Sequence, residues 1–277
     1  MVLDSVRPAG RPRPGVRALT SLGVILAAMA AWEASKAVWR IPDFKLPHSY
    51  AILAELIRRT GNGELWLVVL GRNALVTGGE ALAGFLMGGL AGFLIAVVFI
   101  HWPLAEQGLS PFVVASQTVP ILAIAPMVVV WVGTGWLSKA IIASYLTFFP
   151  VTINVLRGLR AVQPDTLALM RSYGATSRQI FVKLRLPASV PYLFTALRIS
   201  ATASVVGAII GELPVGSAAG LGVVIINAAQ YYTFRPTNLW AAILVAALLG
   251  IAFYFFVVGT ERILMRGQRR PAVEEGA

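Results

Sequence analysis

Apolar residues in this chain come in blocks close to the roughly 20 residues that a helix needs to cross the hydrocarbon core of a bilayer. Between the blocks lie short segments that hold most of the charge. Of the 277 residues, 57% are hydrophobic and 13% charged, against about 25% charged in soluble domains. The pattern describes a polytopic membrane protein rather than a soluble one with a large core. The net charge of +11 does not point to nucleic acid, because the positive residues sit in short loops between apolar blocks. The chain has no cysteine, which excludes a disulfide framework, thiol catalysis and a Cys-based metal site. His48 and His101 alone are a poor start for a metal site.

The blocks predict an all-α integral membrane protein with six transmembrane helices, at about 18–38, 78–100, 112–132, 137–156, 192–212 and 239–260. Orientation follows from Lys and Arg in the short segments. The N-terminal tail carries Arg7, Arg11, Arg13 and Arg17. The loop after the fourth span carries Arg157, Arg160, Arg171, Arg178, Lys183 and Arg185 against one acid, Asp165. The C-terminal tail carries Arg262, Arg266, Arg269 and Arg270. With six spans all three segments fall on one side, so the expectation is a multi-pass protein with both termini cytoplasmic. Another reading of the N-terminus is a secretory signal, since Ala28-Met29-Ala30 resembles a cleavage site; five spans would still follow. The outer segment 40–73 is mixed in charge, and its part 49–59 reads as an amphipathic helix capped by Ser49. Both tails are rich in Pro, Gly and charge, a composition of disorder.

The segment 164–187 is a basic island of helical pattern between two spans. Pro164 and Asp165 suit a helix start, and Leu167, Met170 and Tyr173 recur at helical spacing. Gly174 offers a left-handed stop. Thr176 with Gln179 three residues on is a capping-box pattern. A second short helix would put Ile180, Phe181 and Leu184 on one face and end at Pro187. Two readings are open: an amphipathic loop resting on anionic lipid, or a knob that fits a groove on a soluble partner.

Within the spans, Gly84, Gly88 and Gly92 form a small-xxx-small stripe suited to close helix packing. Glu80 lies near the outer end of the second span; it either meets the interface or Arg72, or lines a path. Glu33 and Lys36, three apart, are expected to pair. Pro120 and Pro126 interrupt the third span, as a fixed kink or as the lining of a cavity. Asn154 reads as interhelical glue or a pathway contact. Glu212 ends the fifth span and opens a Gly-rich stretch, 211–222, that re-enters or skirts the outer mouth; a gate or docking role is open to it. Asn227, Gln230, Tyr231 and Tyr232 follow, with an interfacial belt preferred for the tyrosines. His101 with Trp102 reads as an interface anchor.

These residues also resemble a known family, the inner-membrane permease subunits of binding-protein-dependent ABC importers, and most closely the branch with sulfonate, taurine and nitrate permeases. The matching motifs are Arg171-Ser172-Tyr173-Gly174-Ala175 with Leu186-Pro187, Val119-Pro120 through Ala125-Pro126, and Trp131-Val132-Gly133. Ser138-Lys139, Phe149-Pro150, Gly211-Glu212 and Gly220-Leu221-Gly222 match as well. The likeness spans about 63–265. The family's Glu-Ala-Ala element is missing, its positions reading Ala168, Leu169 and Met170. The resemblance implies a type I ABC importer permease fold in a bacterial inner membrane. It implies that Met170, Arg171, Ser172, Tyr173, Gly174, Ala175, Thr176 and Ser177 form a coupling element seated in a cytoplasmic ABC ATPase dimer, where ATP and Mg reside. It also implies a second permease subunit, most simply a copy of this chain, an external solute-binding protein and surrounding lipid, with no cofactor in this chain. The domain division that follows is a basic tail 1–17, a first helix and outer segment 18–61, a permease domain 62–265 with the coupling loop 164–187, and a tail 266–277. Independently, the chain has no G-x-x-x-x-G-K-[ST] phosphate loop, so ATP hydrolysis by that chemistry needs another polypeptide.

Glu80, Pro120, Pro126, Asn154 and Glu212 are the pathway or gate candidates. The branch handles sulfonates, nitrate, pyrimidine precursors and flavins. The runs Gly211-Glu212-Leu213-Pro214 and Gln230-Tyr231-Tyr232 look more like its cofactor-precursor members. The competing class is a stand-alone secondary transporter or channel, which needs buried ionisable pairs or an ion site within one chain. An intramembrane enzyme is disfavoured, with no HExxH, no cysteine and no Ser–His pair at a plausible depth.

Overall fold

The computed structural model describes residues 14–214 and 217–265. The tail residues Arg7, Arg11, Arg13, Arg266, Arg269 and Arg270, with the tail disorder expected there, lie outside the described residues. The elements are helices α1 (Pro14–Val38), α2 (Ser49–Leu56), α3 (Trp66–His101), α4 (Pro103–Ala115), α5 (Ile121–Val132), α6 (Trp136–Arg160), α7 (Pro164–Ser172), α8 (Ser177–Ile180), α9 (Leu186–Glu212), α10 (Leu221–Gln230) and α11 (Pro236–Leu264). A short 3-10 turn (Ser116–Thr118) follows α4, and a π turn (Phe181–Arg185) joins α8 to α9. Among the described residues, four helical stretches are long and apolar enough to cross a membrane: Trp66–His101, Trp136–Arg160, Ser177–Glu212 and Pro236–Leu264. The α4 and α5 pair adds a fifth if counted as one span. The predicted stretch 18–38 is helical within α1, but α1 is not among these four.

Three expectations about the spans need correction. The second span starts twelve residues earlier than predicted, at Trp66, so Glu80 sits well inside α3 rather than near its end. The third span is not one kinked helix: α4 and α5 meet at 102°. The break falls where Val119 takes an extended conformation (φ −78°, ψ 123°) ahead of Pro120. A residue before proline avoids the α region because the ring clashes with it. Pro126, by contrast, lies within α5 without ending it. The fifth span begins at Ser177, because Pro187 does not end a short helix. Leu186 stays helical, and its N–H bonds to Phe181 O five residues back. That widened turn immediately precedes Pro187, which has no N–H to offer. The result is one helical rod of 36 residues, Ser177–Glu212.

The centre of the bundle is α6, held between α3 and α9. A Cβ on Gly88 would stand 2.5 Å from Ser144 O, one on Gly84 2.6 Å from Ala140 O, and one on Gly92 2.9 Å from Val151 Cβ. The predicted stripe therefore packs backbone against backbone, α3 on α6. A Cβ on Gly207 would stand 2.7 Å from Ala143 Cα and one on Gly211 3.0 Å from Lys139 Cα, so α9 packs on the α6 backbone in the same way. One end of the bundle gathers His101 against Phe181 (4.9 Å between rings) and Arg160 against Glu106. The other gathers Trp32 edge-on to Trp240 and Arg58 Nη2 to Asn238 Oδ1 (3.2 Å).

At that second end, α1 and α2 are joined differently from expectation. Glu33 and Lys36 do not pair. Lys36 reaches Asp43, while Glu33 Oε1 accepts from Ser49 N–H and Oγ (2.8 Å each) and Oε2 lies 2.6 Å from His48 Nδ1. Nor is α2 capped by Ser49: His48 is its N-cap, and the carboxylate of Glu33 supplies the missing acceptor across helices. The carboxyl of Asp43 is held below its usual range, chiefly by the hydrogen bond from Lys36. Its contribution is therefore full at neutral pH and lost only as pH falls through that lowered value.

Gly88→Val would force a branched side chain into the Ser144 backbone. We expect a loss of about 3 kcal/mol or more, given typical overpacking costs of roughly 1–3 kcal/mol. Thermal unfolding in detergent would register it, whereas Gly89→Ala, facing only Leu197 at 3.7 Å, should be near neutral.

Candidate functional site

The segment 164–187 folds locally as its residue types require. α7 opens with Pro164 in its first turn and Asp165 close behind. It ends in a Schellman turn: Gly174 takes φ +71°, its N–H bonds to Arg171 O at 2.9 Å, and Ala175 N–H bonds to Met170 O at 3.0 Å. Only glycine takes that backbone without strain. Thr176 then caps α8 through a complete capping box with Gln179. Its N–H gives 2.7 Å to Gln179 Oε1, and Gln179 N–H gives 3.3 Å to Thr176 Oγ1. The turn stands out from the bundle. Tyr173 is 83% exposed, Arg171, Ser172, Gly174, Thr176 and Ser177 are exposed, and Met170 and Ala175 are half-buried. Ile180 is buried where the expected apolar face begins.

At the far end of the same rod a buried polar cluster forms. Glu212, the last residue of α9, is 1% exposed, and Glu80 from α3 is 7% exposed. Their carboxyl groups are neighbours, and the Lys139 ammonium from α6 acts on both. Two of the five predicted pathway candidates are thus brought together. Glu212 Oε1 accepts from Thr77 Oγ1 at 2.7 Å, and Oε2 accepts from Gly222 N–H at 2.5 Å. Thr77 Oγ1 in turn accepts Leu221 N–H at 2.8 Å, and Asn73 Oδ1 accepts Gly220 N–H at 2.8 Å. Lys139 donates to Thr134 O and to Gly135 O (3.0 Å for the latter). Among the described residues, Glu80 Oε2 is buried with no hydrogen-bond partner. Arg72 pairs with Glu64 at 3.3 Å instead, so the expected Arg72 partner for Glu80 is not formed.

Among the described residues, the other three candidates add no hydrogen bond to this cluster. Pro120 is exposed at the α4–α5 break, where Tyr145 of α6 donates to the freed Ser116 carbonyl. Pro126 is exposed on α5. Asn154 is not interhelical glue: its Nδ2 donates to Pro150 O in its own helix, at 2.8 Å. Tyr232 is a tie rather than a free belt residue, giving its hydroxyl proton to Lys45 O (3.1 Å) and accepting from Trp240 Nε1 (3.2 Å), while Tyr231 is 65% exposed. His101 bonds Val97 O in its own helix at 2.8 Å.

Sequence reasoning missed Asn73, Thr77, Lys139 and the Arg198–Glu261 pair (2.5 Å) between α9 and α11. Asn73 was assigned to the outer segment. An earlier helix start at Trp66 would have placed it two turns, and Thr77 one turn, before Glu80. Nothing in the linear pattern joins Lys139 to Glu80, or Arg198 to Glu261 across 63 positions.

Removing the cation should expose the cost of the two carboxyl groups. Lys139→Met, which removes the donor to the Thr134 and Gly135 carbonyls and the cation nearest both carboxyl groups, is expected to destabilise the protein by about 1–3 kcal/mol, the scale of buried polar groups left unpaired. Adding Glu80→Gln, which supplies a donor beside Glu212, should recover part of the loss. Thermal unfolding of both variants and the pair measures the coupling.

Residues 85–270 match the family described as binding-protein-dependent transport system inner membrane component. Among curated proteins, the riboflavin transport system permease protein RibX of Chloroflexus aurantiacus is 28% identical, covering 95% of this chain and 98% of that protein. The formylaminopyrimidine transport permease protein ThiX of Halalkalibacterium halodurans is 34% identical over 65% of this chain and 70% of that one. The taurine transport system permease protein TauC of Escherichia coli is 24% identical over 76% of each. The fold is shared with the chain solved in inward-facing conformations of the MetNI methionine ABC transporter, with TM-score 0.60 at 20% identity, over 71% of this chain and 96% of that one. A family match over most of the chain, joined to a bundle of membrane-length helices, shows that this protein belongs to the binding-protein-dependent inner membrane components and is a permease subunit of an ABC importer, a transport subunit and not an enzyme.

Proposed function

We propose that two copies of this chain form the pathway of the importer, each contributing six crossings: α1, α3, the broken α4–α5 pair, α6, the rod Ser177–Glu212 and α11. The Lys- and Arg-rich end, with α7 and the 173–176 turn, is cytoplasmic together with both termini, in keeping with the positive-inside rule. The turn from Met170 to Ser177 seats in a cleft of a separate ATPase dimer, which carries ATP and Mg. A solute-binding protein delivers cargo at the opposite end, and lipid surrounds the outer helix faces. Glu80, Pro120, Pro126, Asn154 and Glu212 remain the residues assigned to the path or its gate.

The observation that carries this reading is the join between the turn and the rod. Tyr173 projects from a glycine-hinged Schellman turn, and four residues later begins a helix that runs unbroken to Glu212. A push on the turn is therefore a push on a span. The absent Glu-Ala-Ala element leaves Arg171 and Tyr173 as the exposed groups that meet the ATPase. For cargo, the full-length likeness to a riboflavin permease and the match to a formylaminopyrimidine permease support a planar cofactor or cofactor precursor over a sulfonate.

Gly174→Val places a branched residue at positive φ, a strain of about 1–3 kcal/mol. We expect uptake per ATP hydrolysed to fall about tenfold, a coupling loss of usual size. Proteoliposomes holding the permease, its ATPase and its binding protein would show it, and undiminished coupling would count against the assignment. Calorimetry of the binding protein with riboflavin, a hydroxymethylpyrimidine and taurine tests the cargo; binding of taurine alone reverses it.

A further inference from the structure

The rod that starts beside the inner turn does not simply end at the outer side. Its last residue, Glu212, turns a fully buried carboxylate beneath the start of α10. The fit leaves no slack. A Cβ on Gly220 would lie within 2.5 Å of Glu212 Oε2, and one on Gly222 would lie 2.8 Å from Glu212 Cβ. Both positions must be glycine for the carboxylate to be there. Helix N-termini leave N–H groups without partners inside the helix. Here those of Gly220, Leu221 and Gly222 go to Asn73, Thr77 and Glu212 in turn. The carboxyl group also lies at the positive end of the α10 dipole. Through Thr77, the same carboxylate reaches α3 at 2.7 Å. Three elements, α9, α10 and α3, thus meet at one side chain.

We propose that Glu212 is a positioning residue for transport: its carboxylate ties the outer end of the rod to α10, so that a displacement begun at the 173–176 turn moves the outer segment. The rod is about 54 Å long at 1.5 Å per residue, enough to carry a movement from one side of a bilayer to the other. A passive cap would stabilise α10 and nothing more; a tie also makes α10 follow α9. This inference rests on the coupling role of the turn, and the test separates the two.

The chain has no native cysteine, so paired spin labels can be placed cleanly in the assembled transporter. An inner pair, Leu169→Cys with Ile263→Cys, reports the coupling region. An outer pair, Tyr231→Cys with Val38→Cys, reports α10. All four positions are exposed. Distances are measured in proteoliposomes with and without ATP and vanadate. With Glu212 intact, both pairs should change. With Glu212→Ala the inner change should persist and the outer change should vanish. Glu212→Gln, which keeps the shape but only one acceptor oxygen, should reduce the outer change. Thr77→Val, which cuts the arm to α3, serves as the second variant if Glu212→Ala does not assemble. An outer change of full size in the Glu212 variants overturns the tie. An inner pair that stays still in the unaltered protein overturns the coupling role, and the tie falls with it.

Discussion

The close approach of α3 and α9 to the backbone of α6 is the constraint on which the remaining geometry depends. Lipid tails are as apolar as leucine, so burying apolar side chains in a bilayer does little to bring helices together. Backbone contact across small residues does. Gly84, Gly88 and Gly92 let α3 lie on the Ala140–Thr152 face of α6, and Gly207 and Gly211 do the same for α9. Because α3 and α9 are both registered on α6, their carboxylates Glu80 and Glu212 converge with Lys139. A shift of either helix by one turn would pull Glu212 away from Thr77 or Gly222 and leave buried polar groups unpaired, which is costly.

Proline acts in two opposite ways in this chain, and the difference shapes the transport machinery. At Pro120 the preceding Val119 is extended and the helix breaks through 102°. At Pro187 the preceding Leu186 keeps helical angles (φ −62°, ψ −48°) behind a π turn, and the helix continues. One proline opens a corner whose freed Ser116 carbonyl is met by Tyr145; the other is absorbed into a rod that joins the 173–176 turn to the Glu212 cluster. Irregular backbone at membrane depth persists where protein or water satisfies its polar groups. The Pro120 corner, with Tyr145 on the Ser116 carbonyl, follows that rule.

Much of the turn at 164–187 was legible from residue types. The helix start at Pro164, the glycine stop and the capping box are local hydrogen-bonding devices, so the few residues that form them also announce them. The stripe of glycines announced a packing face for the same reason. The pairing of Glu33 was not legible, because its partners His48 and Ser49 lie 15 and 16 positions away and beat the nearer Lys36. The span count was not settled either. A break between two helices leaves the same apolar composition as a straight span.

What the sequence determined by itself was the medium, the class of fold and the local punctuation, since bilayer length, charge placement and turn chemistry are written in consecutive residues. Tertiary structure alone decided which charged groups meet. Glu80, Lys139 and Glu212 belong to three different helices, and Thr77 and Gly222 lie 135 and 10 positions from the carboxylate they bond. Their convergence depends on the register of three helices against one another, and that register is set by contacts between distant backbones rather than by any property of neighbouring residues.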